Sequence, residues 1–318
     1  MLGIKMSDDA AKPLISIIVP CYNSEQTIRR CLAALISQDA PAPFELIVVD
    51  SSTDRTPEIV EREFLPARLI HLDKRTYAGA ARNIGIRSSR GRYCLMIDSD
   101  CIAAPGLLGK VLARHSEGEY AAVGGSLANG TPGSLSGTVG YLIEFKEFMP
   151  AAPLRFEKSI PTANIAYRRE VFDRHGFFDD DLWLGEDILF NWKVYSVGER
   201  ILFDPAMAVT HLNRTGWREV LSYQTSLGRL SAEARRRGGL PGSFLLRSPV
   251  LVLVAPFGRT FRAARWLLAC DRKTFALFMF IWPLYLLAAS FWSFGFMQGA
   301  MQYESAPGET SSTPSAGL

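Results

Sequence analysis

The chain has few cysteines and no order among them. Its 318 residues hold five, Cys21, Cys31, Cys94, Cys101 and Cys270, an odd number with no Cys-x-x-Cys pair. That spacing argues against a disulfide framework. Cys21, Cys31 and Cys94 sit in apolar or helix-like surroundings, where a thiol serves as a small hydrophobe, and this fits a reducing compartment. The first 13 residues carry Lys5, Asp8, Asp9 and Lys12 and no apolar run. No secretory leader is therefore expected, and the first domain is expected to stay in the cytoplasm. No glycine-rich phosphate loop with a lysine stands after the first apolar run, and no internal repeat is evident. The first half nowhere interleaves basic and aromatic residues, so no nucleic-acid partner is expected.

What is present suffices for a large core. Hydrophobic residues make up 48% and charged residues 21% of the chain, a balance that excludes disorder. The length accommodates one large domain with an appendage, or two domains. The net charge of +3 conceals an uneven division. Residues 216–318 carry 11 Lys/Arg against 5 Asp/Glu, and the first 215 carry 24 against 27. An acidic body with a basic, apolar end points to an anionic membrane surface.

Apolar runs at 14–19 (closed by Pro20), 44–49, 68–72 and 93–97 read as buried strands, alternating with helical patterns at 24–37, 57–64 and 78–88. Strands that are apolar throughout and alternate with helices predict an α/β fold, a doubly wound, mostly parallel, Rossmann-like sheet. Beyond them the spacing predicts a strand at 121–126 and a mobile Gly/Ser/Thr-rich loop at 129–140. It then predicts strands at 160–168 and 200–209 flanking a helix at 187–197, and a basic-ended helix at 217–237. Residues 274–296 form a run of 23 without a charge, long enough to cross a bilayer, and are expected to be a transmembrane helix. Residues 248–258 are apolar but too short to span, and read as interfacial. Arg259, Arg262, Arg265, Arg272 and Lys273 punctuate the stretch between, which the positive-inside rule keeps cytoplasmic. The expected plan is an extension at 1–13, a catalytic domain at 14–215 and a helical connector at 216–243. A membrane-associated helical region at 244–297 and a disordered tail at 298–318 complete it.

The chemistry concentrates where strands end. Asp98 and Asp100 are separated by one residue after an apolar strand, so on an extended backbone they face the same side. Two carboxylates that close call for a cation, such as a hard divalent ion carrying substrate phosphates, unless they merely cap the next helix. Tyr22 and Asp50, also at strand ends, are suited to stack on a base and to accept from a base N–H, or else to be a turn residue and a cap. Arg82 suits a diphosphate, or is a surface helix arginine. Glu186 and Asp187 head a helix, a position that favours acids in any case. Ligands of such sheets bind beyond the carboxyl ends of the strands, where these residues fall.

In order along the chain stand Pro20-Cys21-Tyr22-Asn23-Ser24-Glu25, Val48-Val49-Asp50-Ser51-Ser52-Thr53-Asp54, Gly79-Ala80-Ala81-Arg82-Asn83-Ile84-Gly85 and Asp98-Ser99-Asp100. Asn164-Ile165-Ala166-Tyr167-Arg168-Arg169, Gly185-Glu186-Asp187 and His211 come later. The set, over roughly residues 14–215, resembles family 2 of the inverting glycosyltransferases, which have the GT-A fold. The resemblance implies a nucleotide-sugar pocket from Pro20, Tyr22, Asn23, Glu25, Asp50, Arg82 and Asp98. It implies a divalent metal, Mg²⁺ or Mn²⁺, on Asp100 with Asp98 and His211. Asp187 becomes the base that deprotonates the acceptor, Glu186 its orienting partner, and Asn164 with Thr162 the acceptor contacts.

Two departures carry information. Ser51 stands where the family often has a second acid beside Asp50, so base recognition differs in detail. The QxxRW motif of processive polysaccharide synthases is missing, Gln224 to Arg229 lacking both its spacing and its tryptophan. One sugar per transfer is therefore expected, from a nucleotide-diphosphate donor to a saccharide or lipid-linked acceptor at the cytoplasmic membrane face. The alternatives are a nucleotidylyltransferase-like enzyme and a catalytically silent, membrane-tethered homologue.

Overall fold

Where β-branched and apolar residues run together the chain is extended, and where they recur every three or four positions it coils. A computed structural model of the chain describes residues 12–301. The expected extension up to residue 11 and the expected tail from residue 302 lie outside the described residues. The first half alternates as β1 (Ile15–Cys21), α1 (Ile28–Ile36), β2 (Phe44–Asp50), α2 (Thr56–Glu63), β3 (Ala67–His71), α3 (Ala78–Ser88) and β4 (Tyr93–Ile97). Then come β5 (Cys101–Ala103), α4 (Leu107–Glu117), β6 (Ala122–Asn129), α5 (Leu135–Phe145), β7 (Arg155–Glu157), β8 (Asn164–Arg168) and α6 (Arg169–His175). The remainder is α7 (Glu186–Ser196), β9 (Ile201–His211), α8 (Trp217–Gly238), α9 (Pro249–Cys270) and α10 (Arg272–Met301).

All nine strands join one sheet in the order β3-β2-β1-β4-β8-β6-β9-β5, with β7 against β9. Strands β3, β2, β1 and β4 are parallel; β8 enters antiparallel between β4 and β6. The chain steps from β1 outward to β3 and then returns to the other side of β1 as β4, so the winding reverses between β1 and β4. That switch point is where an open α/β sheet offers a crevice. Every residue of β4 is buried. Burying one such side chain contributes roughly 1.5–3 kcal/mol, so the core rather than strand propensity holds this five-residue element.

Three local expectations change. Pro20 does not close β1, which continues to Cys21. Pairing with β4 has already stopped at Ile18, so Pro20 lies where one side of the strand has no ladder. Residues 129–140 are not a loop throughout, because α5 begins at Leu135 with Ser134 as its cap, the Ser134 hydroxyl accepting from Gly137 N at 3.1 Å. Almost the whole helix is buried, and burial outweighs the poor helix propensity of its Gly, Ser and Thr. Residues 248–258 are the first half of the continuous helix α9.

The C-terminal helices share the main core. Ala263, Leu267, Phe278, Ile281, Tyr285, Ala288 and Ala289 belong to the same buried cluster as β1 and β4. Helices α8 and α10 touch backbone to backbone. A Cβ at Gly228 would collide with the Trp292 carbonyl, and one at Gly295 with the Thr225 carbonyl. Helix α10 is, among the described residues, the one helix long and apolar enough to cross a membrane. Its other face leaves Met279, Phe280, Trp282, Leu287, Phe291 and Phe294 exposed.

Candidate active site

A cleft of about 1480 Å³ opens over the carboxyl ends of β1 and β4. Its floor is the sheet, with Pro20, Tyr22, Asn23, Asp98 and Asp100. Its wall is helical, with Glu144 of α5, Tyr223 and Arg235 of α8, and Arg259 of α9. Strand β1 delivers Tyr22 and Asn23 just past its end. Asn23 adopts a positive φ of 53°, which asparagine tolerates better than most residues, and its Oδ1 accepts from Thr53 N at 2.9 Å. Tyr22 is 39% exposed, with the Arg75 guanidinium 4.4 Å from its ring centroid.

Several expected site residues prove to be engaged elsewhere. Asp50 is buried at the end of β2. Its carboxylate accepts from Ser52 Oγ at 2.5 Å and meets His71 Nδ1 at 2.7 Å, outside the cleft lining. Glu25 turns to the neighbouring loop, accepting from Arg55 N at 3.3 Å. Asn164 does not reach the cleft. Buried in the sheet, it donates from Nδ2 to the Met207 carbonyl at 2.7 Å and the Ser126 carbonyl at 3.3 Å, bridging the place where the β6–β9 register shifts. Thr162, by contrast, lines the cleft.

Arg82 is 3% exposed and held from both sides. Its Nη2 donates to Asp98 Oδ1 at 2.7 Å and its Nη1 to Glu186 Oε1 at 2.5 Å. Burial works against the guanidinium charge, but the Asp98 and Glu186 carboxylates outweigh it and keep the group protonated. Arg82 is therefore committed to protein carboxylates rather than open to a diphosphate. Asp98 has a charge partner in Arg82. The link ties the end of β4 to the head of α7 through Arg82, which stands 104 residues before Glu186.

Gly185, at φ 89°, makes the left-handed turn that starts α7, whose first two residues are Glu186 and Asp187. Glu186 is spent on Arg82. Asp187 lines the cleft and, among the described residues, has no basic side chain within 4.0 Å. Its Oδ2 accepts from Thr162 N at 3.3 Å and its Oδ1 from Ile188 N at 2.8 Å. Burial, opposed mainly by Arg82, pushes the Asp187 carboxyl up from the ordinary aspartate range.

The third group assembles through strand register. Strand β5 pairs with β9 so that Cys101 faces His211, which sets Asp100 Oδ1 3.5 Å from His211 Nε2. Asn213 Nδ2 donates to Asn129 Oδ1, Thr131 Oγ1 and the His211 carbonyl, leaving its Oδ1 to accept from His211 Nδ1 at 2.9 Å. The neutral ring then carries its lone pair on Nε2, facing a carboxylate oxygen. Such a pair needs a proton or a cation between its members, so the donor set fits a divalent ion. Cys101 Sγ lies in the same group, within 4.8 Å, but burial raises its thiol well above the usual range and leaves it protonated.

Sequence reasoning missed the helical wall. Glu144 accepts from Gln224 Nε2 at 2.9 Å, and burial raises its carboxyl to about 7. The Arg214 guanidinium lies 3.7 Å from the Tyr223 ring centroid and has no carboxylate within 4.0 Å among the described residues. The one available signal was position, since Arg214 comes three residues after a strand end.

A family model described as glycosyl transferase family 2 matches residues 16–176. The succinoglycan biosynthesis protein ExoO of Rhizobium meliloti is 28% identical over 220 residues, 64% of this chain and 62% of that protein. The poly(ribitol-phosphate) beta-N-acetylglucosaminyltransferase TarS of Staphylococcus aureus is 33% identical over 198 residues, 58% of this chain but only 33% of TarS. The chain thus spans less than two thirds of either relative. Among solved structures, the mannosyltransferase PcManGT from Pyrobaculum calidifontis, in complex with GDP-Man and Mn²⁺, superposes with a TM-score of 0.62. It is 20% identical, over 94% of this chain and 90% of that one. A likeness at that identity shows the fold. With half its length matched by the family model, the chain belongs to glycosyl transferase family 2.

Proposed function

We propose that the chain moves one sugar from a nucleotide-diphosphate donor to an acceptor hydroxyl with inversion at the anomeric carbon. The observation that carries this reading is the division of the acidic pair. Glu186 is consumed by Arg82, whereas Asp187 lines the cleft, oriented by Thr162 N and, among the described residues, with no basic side chain within 4.0 Å. A carboxylate so placed, with its pKa raised, suits general-base work near neutral pH. In the reaction, Asp187 takes the acceptor proton as the acceptor oxygen bonds to the anomeric carbon, and the bond to the diphosphate breaks on the opposite face. Tyr22 with Pro20 and Asn23 flanks the nucleoside. Arg214 supplies the positive charge beside the diphosphate that Arg82 cannot. Asp100 and His211 are the residues that would hold a divalent ion, Mg²⁺ or Mn²⁺, and such an ion stabilises a departing diphosphate. PcManGT holds GDP-Man with Mn²⁺ and TarS 1–349 holds UDP-GlcNAc, which supports a nucleotide-sugar donor here.

Residues 14–215 form the catalytic part of this proposal, 216–243 the connector and 244–297 the membrane-associated part. Helix α10 packs one face against α8, which carries Arg229, Glu233 and Arg235, so a crossing would draw these charges into the bilayer. The reading that suits both faces is that α9 and α10 lie on the cytoplasmic membrane surface, their exposed apolar side chains in lipid. That placement favours a lipid-linked acceptor.

Asp187→Asn tests the core of the proposal. Turnover should fall about 10²–10⁴-fold, the usual contribution of a positioned base. The thermal shift produced by nucleoside diphosphate with Mn²⁺ should be kept. A variant that retains a tenth of wild-type turnover removes Asp187 from the role, and a wild type that no nucleotide stabilises removes the donor site itself.

A further inference from the structure

The cleft contains cations that the donor chemistry leaves unused. Arg235 of α8 and Arg259 of α9 both line it. The Arg259 guanidinium lies 4.3 Å from the Trp292 ring, and that of Arg235 5.7 Å from the Phe296 ring. Those two rings are neighbours on α10, 5.3 Å between centroids. The backbone contact of α8 with α10 at Gly228 and Gly295 brings Arg235 to the two rings, and α9 adds Arg259.

Two guanidiniums are thus held side by side in a partly desolvated place. Among the described residues neither has a carboxylate within 4.0 Å, whereas Arg82 in the same cleft has two. Arg235 donates from Nη1 to the Ser231 carbonyl at 3.0 Å, and its Nε is buried without a partner. Burial and the neighbouring Arg259 charge both act to lower its pKa. Arg262, exposed one helical turn beyond Arg259, adds a third positive charge to the lining. Like charges kept together are costly, the Glu147 carboxylate eases only Arg259 and from beyond contact distance, and the cost falls further when a dianion sits between the two arginines. The planar fork of arginine matches phosphate oxygens two at a time.

We propose that Arg235 and Arg259 form a phosphate subsite at the helical end of the cleft, for an acceptor whose phosphate is carried on an apolar chain. The setting is the reason for the apolar chain. Helix α9, which presents Arg259, also exposes Leu253, Val254, Phe257 and Phe261, and α10, which carries the two rings beside the arginines, exposes Phe280, Leu287 and Phe291. An amphiphile anchored against those side chains would bring its headgroup to the arginines and a sugar hydroxyl beyond it toward Asp187. The inference rests on the glycosyltransferase reading of the cleft and names the acceptor class for it.

The test uses the full chain in phosphatidylcholine nanodiscs, titrated calorimetrically with dodecyl phosphate, dodecanol and inorganic phosphate, and separately with nucleoside diphosphate plus Mn²⁺. Dodecyl phosphate should bind at least about tenfold tighter than either single-feature probe, as charge-assisted bonds to two arginines imply. Arg235→Met with Arg259→Met should abolish that margin and keep nucleotide binding, while the double lysine replacement should restore part of it. Equal binding of dodecyl phosphate and dodecanol overturns the subsite, and inorganic phosphate binding as tightly as dodecyl phosphate overturns the apolar chain. If the double methionine variant loses nucleotide binding to the same degree, the arginines serve the donor and the proposal falls. A wild type that binds nucleotide yet ignores dodecyl phosphate refutes this subsite alone. One that binds neither refutes the donor reading with it.

Discussion

The two sides of the cleft treat their arginines in opposite ways. On the sheet side, Arg82 is buried between Asp98 and Glu186, each bond 2.7 Å or shorter, and its charge is cancelled before any ligand arrives. On the helical side, Arg214, Arg235 and Arg259 rest on aromatic rings with no carboxylate within 4.0 Å among the described residues. Cancelled charge gives rigidity, because separating the partners strands buried ions; uncancelled charge waits for an anion. The sheet side is therefore built to position groups and the helical side to bind.

The contrast breaks most visibly at Arg82. Arg82→Met leaves two carboxylates facing each other in the core and should lower the unfolding free energy by about 3–5 kcal/mol, measured by urea denaturation. Arg214→Met, on the other side, should change stability little and weaken nucleoside diphosphate about tenfold while sparing the nucleoside, by calorimetry. If both substitutions destabilise alike, the two sides do not differ as described. A finer test lies at Asn213, which fixes the His211 tautomer. Asn213→Ala should weaken Mn²⁺-dependent nucleotide binding about 10–100-fold, the usual effect of losing an outer partner of a ligating histidine. The smallest effect concerns pH. Asp187 must be ionised to accept a proton, and burial raises its pKa, so turnover should rise with pH along an acid limb lying above the ordinary aspartate value near 3.9. A limb at or below that value would argue against Asp187.

The same line divides what the sequence disclosed from what it concealed. Tyr22, Asp98 and Asp100 were legible because each stands just after a continuous apolar strand, and the position of a strand end is a local property. The helix head at Glu186–Asp187 was legible for a similar reason, with Gly185 before it. The partnership of Arg82 with Glu186 was not, since it spans 104 residues and depends on how α3 and α7 pack. Asn164 read as an acceptor contact only through the family resemblance. Its work is to satisfy two backbone carbonyls at an irregularity of the sheet. Strand β5 escaped notice because three residues carry no periodicity and exist as a strand only through β9. The helical wall was hidden in segments that read as a loop and an anchor. Burial in the shared core, which composition alone does not report, makes them part of the catalytic body.

The Arg82 tether also constrains motion. The end of β4 and the head of α7 are joined through a single guanidinium, so Asp98 and Asp187 move as one piece. Opening the cleft by parting them would expose the buried charges of Arg82 and Glu186 together. Whatever breathing lets substrates in and products out must then come from the other jaw, the helical wall of α8 and α9.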